Sequence, residues 1–269
     1  MAELSFRRDL YRGTAEDYDR YRVPYPQELT THLAERRAAT ARRRLLDLAC
    51  GTGQIAFALS TRFDEVWAVD QEPDMVDMVR KKAAAAGIAN IRPVICAAET
   101  LSAPDESFDL IAIGNAFHRL PRETVAAAAL RWLRPGRFLA LLWGGSPWDN
   151  EAPWQQAMKQ TVDRWMTRMH ADDRIPSGYE QTRHSRPDLD VLKDAGFDFA
   201  GSYTFPITFD WTLHTLTGFV LSTSVLSRQV LRDRLPEFEE DLANAVRPWE
   251  SDGRLRQVIR FTYELARRP

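Results

Sequence analysis

Two short segments combine glycines and acids in a pattern that can bind a nucleotide. The segment 45–56 reads Leu-Leu-Asp-Leu-Ala-Cys-Gly-Thr-Gly-Gln-Ile-Ala, and a second apolar stretch ends at Asp70. Gly51 and Gly53 allow a sharp turn between a strand and a helix, and they let the backbone approach a ligand with no Cβ in the way. Asp70 can accept hydrogen bonds from both hydroxyls of a ribose. The pattern predicts a site for a nucleotide cofactor.

Two classes of cofactor use this geometry. A dinucleotide fingerprint requires small residues such as Gly51, Gly53 and Ala56, followed by an acid about 20 residues later, and Asp70 satisfies that requirement. Asp47 separates the classes, because its carboxylate would repel a pyrophosphate and attract the ammonium and sulfonium groups of S-adenosylmethionine. The acid favours S-adenosylmethionine, and an NAD-type oxidoreductase remains the alternative.

Several segments carry a resemblance to class I S-adenosylmethionine-dependent methyltransferases. Residues 46–53 resemble the first motif of that family, and residues 105–113, Asp-Glu-Ser-Phe-Asp-Leu-Ile-Ala-Ile, resemble its fourth strand with the lead-in. Residues 130–142 are similar to the helix, Arg-Pro-Gly turn and fifth strand that follow. Within the family, the chain looks most like the small-molecule subgroup that contains the ubiquinone, menaquinone and trans-aconitate methyltransferases.

The resemblance implies a function and a fold. We expect transfer of a methyl group to a small-molecule acceptor, a metabolite or natural product, by in-line displacement, with O-methylation favoured. A relative that binds S-adenosylmethionine without methylating is a further alternative. The implied fold is α/β, a Rossmann-like doubly wound seven-stranded sheet that is mostly parallel, with an antiparallel last strand and a helical cap.

The order of predicted elements agrees with this fold. Strands are predicted at 44–49, 65–70, 91–95, 108–113 and 137–143, and the helices between them indicate a parallel sheet covered on both faces. Further along the chain, a helix at 189–196 and strands at 199–209 and 255–265 are predicted. We expect one methyltransferase domain over 1–269, composed of an N-terminal helical lid 1–40, a cofactor-binding core 41–146, a helical insert 147–186 and a substrate-side segment 187–269 that completes the sheet.

The resemblance also assigns cofactor-binding residues. It places the methionine end of the cofactor against Asp47, Ala49, Gly51 and Asn115, beside Gly53, and the ribose against Asp70. Gln71 and Met75 are expected to pack against the adenine, and packing in the core at helical spacing is the alternative for Met75. Ala97 stands where many relatives carry an Asp, which leaves adenine recognition to the backbone of Ala98 and to Glu99.

The N-terminal segment 18–26, Tyr-Asp-Arg-Tyr-Arg-Val-Pro-Tyr-Pro, is aromatic and basic. It resembles a lead-in that covers the cofactor, so Tyr18, Tyr21 and Arg22 are further candidate cofactor-binding residues. Aromatic faces can shield a sulfonium, and a guanidinium can hold a carboxylate. Because Tyr11, Tyr18, Tyr21 and Tyr25 recur at roughly helical spacing, simple packing of an amphipathic segment is the alternative.

Methyl transfer needs alignment and exclusion of water more than a strict catalytic signature. His118 is the candidate catalytic base, because it follows the fourth strand, where parallel sheets bind their ligands. Many relatives have Trp after this His, and here Arg119 replaces it. The alternative is that His118 only fixes the loop through a hydrogen bond.

Aromatic residues with nearby hydroxyls in the second half of the chain suggest a mainly apolar or aromatic acceptor. The candidate substrate-binding residues are Trp143, Trp148, Phe219 and Ser222. Packing in the core or cap is the alternative for each of these Trp residues. The histidines lack ligand spacing, so no metal site is predicted.

Composition limits the remaining classes. The chain has 269 residues, 44% of them hydrophobic, and 36 Lys and Arg against 38 Asp and Glu give a net charge of −2. This balance disfavours nucleic acid and anionic membranes as partners. The chain has two cysteines, which predict no disulfide framework. The segment at the N-terminus lacks a signal-peptide core and no run could span a bilayer, so we expect a cytoplasmic protein, a monomer or homodimer.

Overall fold

The fold is known from a computed structural model that describes residues 6–36, 42–148, 152–178, 181 and 184–269. Seven strands form one sheet in the order β3-β2-β1-β4-β5-β7-β6. Their bounds are β1 Arg44–Leu48, β2 Glu65–Asp70, β3 Ile91–Ile95, β4 Phe108–Gly114, β5 Leu133–Trp143, β6 Asp198–Trp211 and β7 Leu255–Arg267. Strands β1 to β5 pair in parallel, and β7 lies antiparallel between β5 and β6. The predicted sheet is confirmed.

Helices cover both faces of the sheet. They are α1 Ala15–Tyr21, α2 Gln27–Ala34, α3 Gln54–Leu59, α4 Pro73–Ala86, α5 Arg122–Trp132, α6 Pro153–Arg168, α7 Asp188–Asp194, α8 Leu213–Leu221, α9 Arg228–Leu231 and α10 Leu235–Val246. Alternate residues of the central strands enter opposite cores: Leu45 of β1 lies in one and Leu46 in the other. Burial on both faces explains why these strands are continuously apolar rather than alternating.

Several boundaries differ from the predictions. Strand β5 begins at Leu133 rather than 137, because Leu133 pairs with Phe108 before a register shift. Helix α2 ends at Ala34, and residues 37–41 lie outside the described residues. Helices α8 and α10 were not predicted. Helix α4 does end at Gly87, whose φ of +64° is the left-handed conformation that favours glycine there.

The helical insert contains α6, which packs its apolar face against α10. Trp165 of α6 meets Phe238 of α10 edge-on, with ring centroids 5.7 Å apart. Helix α1 packs instead on α8. Within the described part of the chain, we find no helix with the length and apolar character needed to cross a bilayer.

Candidate active site

The turn after β1 bends sharply through left-handed backbone. Ala49, Gly51 and Gly53 have φ values of +55°, +53° and +83°. Gly53 is the residue that opens α3. A left-handed alanine is strained, and such strain is typical of functional sites. A Cβ on Gly51 would lie 3.3 Å from the Tyr18 ring, so the glycine keeps the backbone close to the lid.

Asp47 lies beneath this turn with only 1% of its surface exposed. Its Oδ2 accepts a hydrogen bond from the Ala56 N–H of α3 at 2.8 Å. Its Oδ1 is buried and has no hydrogen-bond donor among the described residues. Burial raises the pKa of the Asp47 carboxyl to about 7. A buried acceptor with spare lone pairs suits a cationic ligand group.

Asp70, at the end of β2, is fixed by the backbone. Its Oδ2 accepts from the Gly51 N–H at 2.8 Å, and its Oδ1 accepts from the Glu72 N–H at 2.9 Å. Burial raises the pKa of the Asp70 carboxyl. Each carboxylate oxygen can accept more than one hydrogen bond, so both keep the capacity to accept from a diol.

A cavity of about 300 Å³ opens at the carboxyl ends of the parallel strands. It is lined by nine of the predicted cofactor-binding residues: Tyr18, Ala49, Gly51, Asp70, Gln71, Met75, Ala98, Glu99 and Asn115. A smaller cavity of about 20 Å³ adjoins it and is lined by Asp47 and Arg22, with Tyr18, Ala49 and Asn115 bordering both cavities. The larger and smaller cavities therefore bring together most of the predicted cofactor site.

Asn115 follows β4 with a φ of +50°, a conformation that Asn tolerates better than most residues. Its side chain is held by Gly144, which accepts from Nδ2 at 3.0 Å and donates to Oδ1 at 3.2 Å. Its Nδ2 also donates to the Tyr25 hydroxyl at 3.3 Å. These contacts fix the amide side chain and set the Asn115 backbone at the wall shared by both cavities.

The lid residues divide between two roles. Tyr18 lines both cavities, whereas Tyr21 packs on Gly218 of α8 and contacts His214 Nε2 through its hydroxyl at 3.1 Å. Arg22 lies over the Tyr18 ring, 4.5 Å from its centroid, and donates from Nε to Ser222 Oγ at 2.9 Å. Tyr18 and Arg22 thus line a cavity and Tyr21 does not, and lid function stays a prediction for this segment.

Ion pairs hold the lid segment over the cavity. Asp19 pairs with Lys82 of α4, and Asp17 pairs with Arg228 of α9 at 2.8 Å. The Gly13 N–H donates to the Asp74 side chain at 2.8 Å. These contacts join the N-terminal segment to elements from both halves of the chain.

His118 lies in a 3₁₀ turn after β4, outside the residues that line the two cavities. Its Nε2 accepts from Arg119 Nε at 3.2 Å, and its ring lies 5.4 Å from that of Trp143. While Nε2 accepts this hydrogen bond, it cannot also take a proton from the molecule that is to be methylated. The base role of His118 stays a prediction, as does the alternative in which His118 fixes the loop through a backbone hydrogen bond; the contact described here is to the Arg119 side chain.

The structure places the four candidate substrate-binding residues outside the linings of both cavities. Trp143 packs on His118, and Trp148 meets Phe219 edge-on at 6.0 Å between centroids. Phe219 and Ser222 are completely buried. Ser222 accepts from Arg22 Nε and donates to the Phe219 carbonyl, so it supports the lid arginine. Direct substrate contact by these four residues stays a prediction.

Sequence reasoning missed other lining residues. The larger cavity is also lined by Phe6, Arg7, Arg8, Leu10, Tyr11, Glu72, Cys96, Gly114, Ala116, Arg119, Leu120 and Pro121. The replacement of Trp by Arg119 was a usable signal, as was the spacing of Tyr11 with the other lid tyrosines. Nothing in the sequence pointed to Glu72. In the structure this residue is 3% exposed, and its Oε1 has no donor among the described residues. Burial raises the pKa of its carboxyl to about 7.

The larger cavity is electrostatically two-sided. We define its acid end by Asp70, Glu72 and Glu99, which follow β2 and β3, and its arginine end by Tyr11, Arg119 and Leu120. Strand β1 lies between β2 and β4, so β2 and β4 are about 10 Å apart across the sheet. Asp70 ends β2, and Arg119 lies in the turn that follows β4. The described residues contain no cluster of side chains suited to holding a metal ion.

Residues 45–136 match the family model described as a methyltransferase domain. The chain is 29% identical over 155 residues to an uncharacterised methyltransferase of Schizosaccharomyces pombe, and 29% identical over 157 residues to the ubiquinone/menaquinone biosynthesis C-methyltransferase UbiE of Bordetella avium. It is also 36% identical over 125 residues to the uncharacterised methyltransferase YcgJ of Bacillus subtilis. These alignments cover 57%, 56% and 46% of this chain, and they span 59%, 60% and 47% of the relatives' lengths.

The crystal structure of YcgJ shares the fold, with a TM-score of 0.53 at 17% identity over 90% of this chain and 98% of that chain. The predicted resemblance to class I methyltransferases is therefore confirmed: residues 45–136 match the methyltransferase-domain family model, and the chain shares the fold of YcgJ.

Proposed function

We propose that this protein transfers a methyl group from S-adenosylmethionine to a small-molecule acceptor, with an oxygen nucleophile favoured. The observation that carries the proposal is the unpartnered Oδ1 of Asp47 at the smaller cavity. A buried carboxylate oxygen without a donor fits the ammonium of the methionine moiety, and it would repel the pyrophosphate of a dinucleotide.

The surrounding residues fit the rest of that cofactor. Arg22 lines the smaller cavity beside Asp47, so its guanidinium can hold the methionine carboxylate. Asp70 keeps acceptor capacity for the ribose hydroxyls, and Met75 and Ala98 provide apolar contacts for the adenine. Glu99 already pairs with Arg8 at 3.4 Å, so a contact between Glu99 and the adenine amino group would share this carboxylate.

When bound, S-adenosylmethionine supplies an activated methyl group on a sulfonium. Asp47, Arg22 and Asp70 would hold this cofactor, and the methyl group that it would supply would pass to the acceptor, with S-adenosylhomocysteine as the second product. The chain contributes alignment and exclusion of water, which together can lower the barrier by several kcal/mol, on the order of 7–11 for ideal alignment. Tyr18 borders both cavities and the lid ion pairs hold it there. His118 is the proposed base for an acceptor that binds protonated.

Two measurements test this function. Isothermal titration should show saturable binding of S-adenosylmethionine and none of NADH, and saturable binding of NADH would instead favour the oxidoreductase alternative. Incubation with a metabolite extract should release S-adenosylhomocysteine together with a product that gains one methyl group by mass spectrometry. Binding without release, across extracts that sustain other methyltransferases, would favour the non-methylating alternative.

A further inference from the structure

Arg119 lines the arginine end of the larger cavity, and not all of its N–H donors are occupied by hydrogen bonds. It lies between two aromatic rings, 5.3 Å from the centroid of Phe6 and 5.4 Å from that of Tyr11. Its Nε donates to His118 Nε2 at 3.2 Å, and its Nη1 donates to Ser224 Oγ at 3.0 Å. A guanidinium has five N–H donors, so one on Nη1 and two on Nη2 remain beyond these bonds.

Arg119 differs from the other arginines of this cavity in its partners. Arg7 pairs with Asp9 at 3.1 Å and Arg8 pairs with Glu99 at 3.4 Å. Within the described ranges, no carboxylate lies within 4.0 Å of the Arg119 guanidinium, whose hydrogen-bond partners are neutral. A guanidinium stays charged at all relevant pH values, so this position holds a permanent positive charge without a protein counter-ion.

Neighbouring groups increase the positive potential at this end. Arg174 enters from beyond α6, donating from Nε to the Ser224 carbonyl and from Nη2 to the Leu10 carbonyl at 2.9 Å. Burial alone would raise the pKa of the Tyr11 hydroxyl, yet the charges of Arg119 and Arg22 hold this pKa below its usual value of 10. Both observations indicate surroundings that stabilise an anion.

The remaining walls of the arginine end are apolar. Leu10, Ala116, Leu120 and Pro121 line the cavity with the rings of Phe6 and Tyr11. A ligand that fits here combines an apolar body with one anionic group. The methionine carboxylate of the cofactor does not meet that description, since Arg22 and Asp47 line the smaller cavity and Arg119 does not.

We propose that the acceptor is a small apolar carboxylic acid whose carboxylate is bound by Arg119, beside the Tyr11 hydroxyl. This assignment rests on the proposed function and names the substrate class of the same site. The two Nη groups offer a planar fork that matches a carboxylate in a bidentate pair. Carboxylate is favoured over phosphate because, among the described residues, Arg119 is the guanidinium at this end that both lines the cavity and keeps free donors, whereas a phosphate dianion carries more charge and more acceptors.

The test uses the whole protein saturated with S-adenosylhomocysteine and measures probe affinity by isothermal titration. The probes are benzoate, cinnamate and octanoate, each compared with its neutral amide, together with phenyl phosphate. We expect at least one carboxylate to bind about tenfold or more tightly than its amide, because a charge-assisted pair is lost in the amide. Arg119→Gln should reduce that ratio to about one, and Arg119→Lys should keep part of it because the charge remains without the fork.

Arg256→Gln is the matched control, since Arg256 is an exposed arginine that pairs with Asp210 on the far strands of the sheet. It should leave every ratio unchanged, and Arg119→Gln should leave the affinity for S-adenosylhomocysteine unchanged. The inference is wrong if no carboxylate binds more tightly than its amide, if phenyl phosphate binds more tightly than benzoate, or if Arg119→Gln weakens S-adenosylhomocysteine instead. If wild-type protein binds no S-adenosylhomocysteine at all, the proposed function itself fails.

Discussion

At the acid end of the larger cavity, Asp70 ends a strand and is held by backbone N–H groups, whereas at the arginine end Arg119 is held by the side chains of its neighbour His118 and of the distant Ser224. Asp70 accepts from the backbone N–H groups of Gly51 and Glu72, which lie three and two residues beyond the ends of β1 and β2. Arg119 depends on His118 and on Ser224, which is 105 residues further along the chain. The first arrangement is local to the fold and the second requires the whole chain to assemble.

The difference matters for how each end can vary. Backbone donors persist through most substitutions, so the acid end keeps its chemistry as long as the sheet forms. The arginine end consists of side chains on the lid, the loop after β4 and the segment after α8, so its chemistry can change by single substitutions. One cofactor with variable acceptors is what such a division permits.

Asp47→Asn should produce the largest effect, and it tests the carboxylate at the smaller cavity. Removing the charge should weaken S-adenosylmethionine binding about 10- to 100-fold, because a hydrogen bond to a charged group contributes about 1.5–3 kcal/mol. The melting temperature of the ligand-free variant at pH 8 should not fall, since a buried charge is replaced by a neutral amide of similar shape. Titration calorimetry and thermal unfolding measure the two quantities.

Asp210→Asn is the control for Asp47→Asn, because Asp210 is a carboxylate on β6 that pairs with Arg256 away from both cavities. It should leave cofactor affinity unchanged. Equal affinity of wild type and Asp47→Asn would contradict both the proposed role of Asp47 and the observation on which the function rests.

The pH dependence should be the second-largest effect. Burial raises the pKa values of Asp47 and Glu72 to about 7, above those of the unfolded chain. The folded protein therefore binds protons more tightly, so the stability these groups contribute is present below about pH 4 and is lost as the pH rises toward 7. A bound cation favours ionised Asp47, so cofactor affinity should increase about tenfold between pH 5.5 and 7.5.

Two variants assign this pH dependence. Asp47→Asn should flatten the affinity profile, whereas Glu72→Gln should retain it, since Glu72 lines the larger cavity and Asp47 the smaller. Both variants should reduce the loss of ligand-free stability as the pH rises. If the pH dependence of cofactor affinity disappears only in Glu72→Gln, the cationic group of the cofactor binds at the acid end of the larger cavity instead.

The contrast between the ends also explains what the sequence could predict. Asp47 and Asp70 lie near the ends of β1 and β2, which are recognisable as apolar runs, and Gly51 follows β1, so the strand ends bring these residues together. Tyr21 and Ser222 were predicted as binding residues on local pattern, but one packs on α8 and the other holds Arg22. Aromatic and hydroxyl patterns do not distinguish a cavity wall from the layer behind it.

Glu72 shows a further limit of the sequence. It precedes Pro73 at the start of α4, a position where an acid is ordinarily an exposed residue near a helix N-terminus. Arg12 and Asp9 of the N-terminal segment lie close enough to influence its pKa, and no local pattern reports that proximity. The apolar runs predicted the sheet, whereas α8 and α10 were missed because their packing partners, α1 and α6, lie far away in sequence.

His118→Ala should have a smaller effect, and it separates base chemistry from positioning. If His118 positions Arg119, the ratio of carboxylate to amide affinity should fall about three- to tenfold, since one hydrogen bond of roughly 0.5–1.5 kcal/mol is lost. The pH profile of kcat should then keep its shape. A loss of kcat by about 100-fold or more, with one limb of the pH profile removed, would instead establish the base role.

The smallest effects should come from two serines, each of which holds the arginine of a different cavity. Ser222 Oγ accepts from Arg22 and Ser224 Oγ accepts from Arg119, and both residues are buried in the same segment. Ser222→Ala should weaken S-adenosylmethionine binding roughly two- to fivefold without changing the carboxylate-to-amide ratio, and Ser224→Ala should do the reverse. Each variant is the control for the other, and both affinities come from the same titrations. If both variants weakened both ligands equally, the two arginines would act as one site, and the division between cofactor and acceptor would not hold.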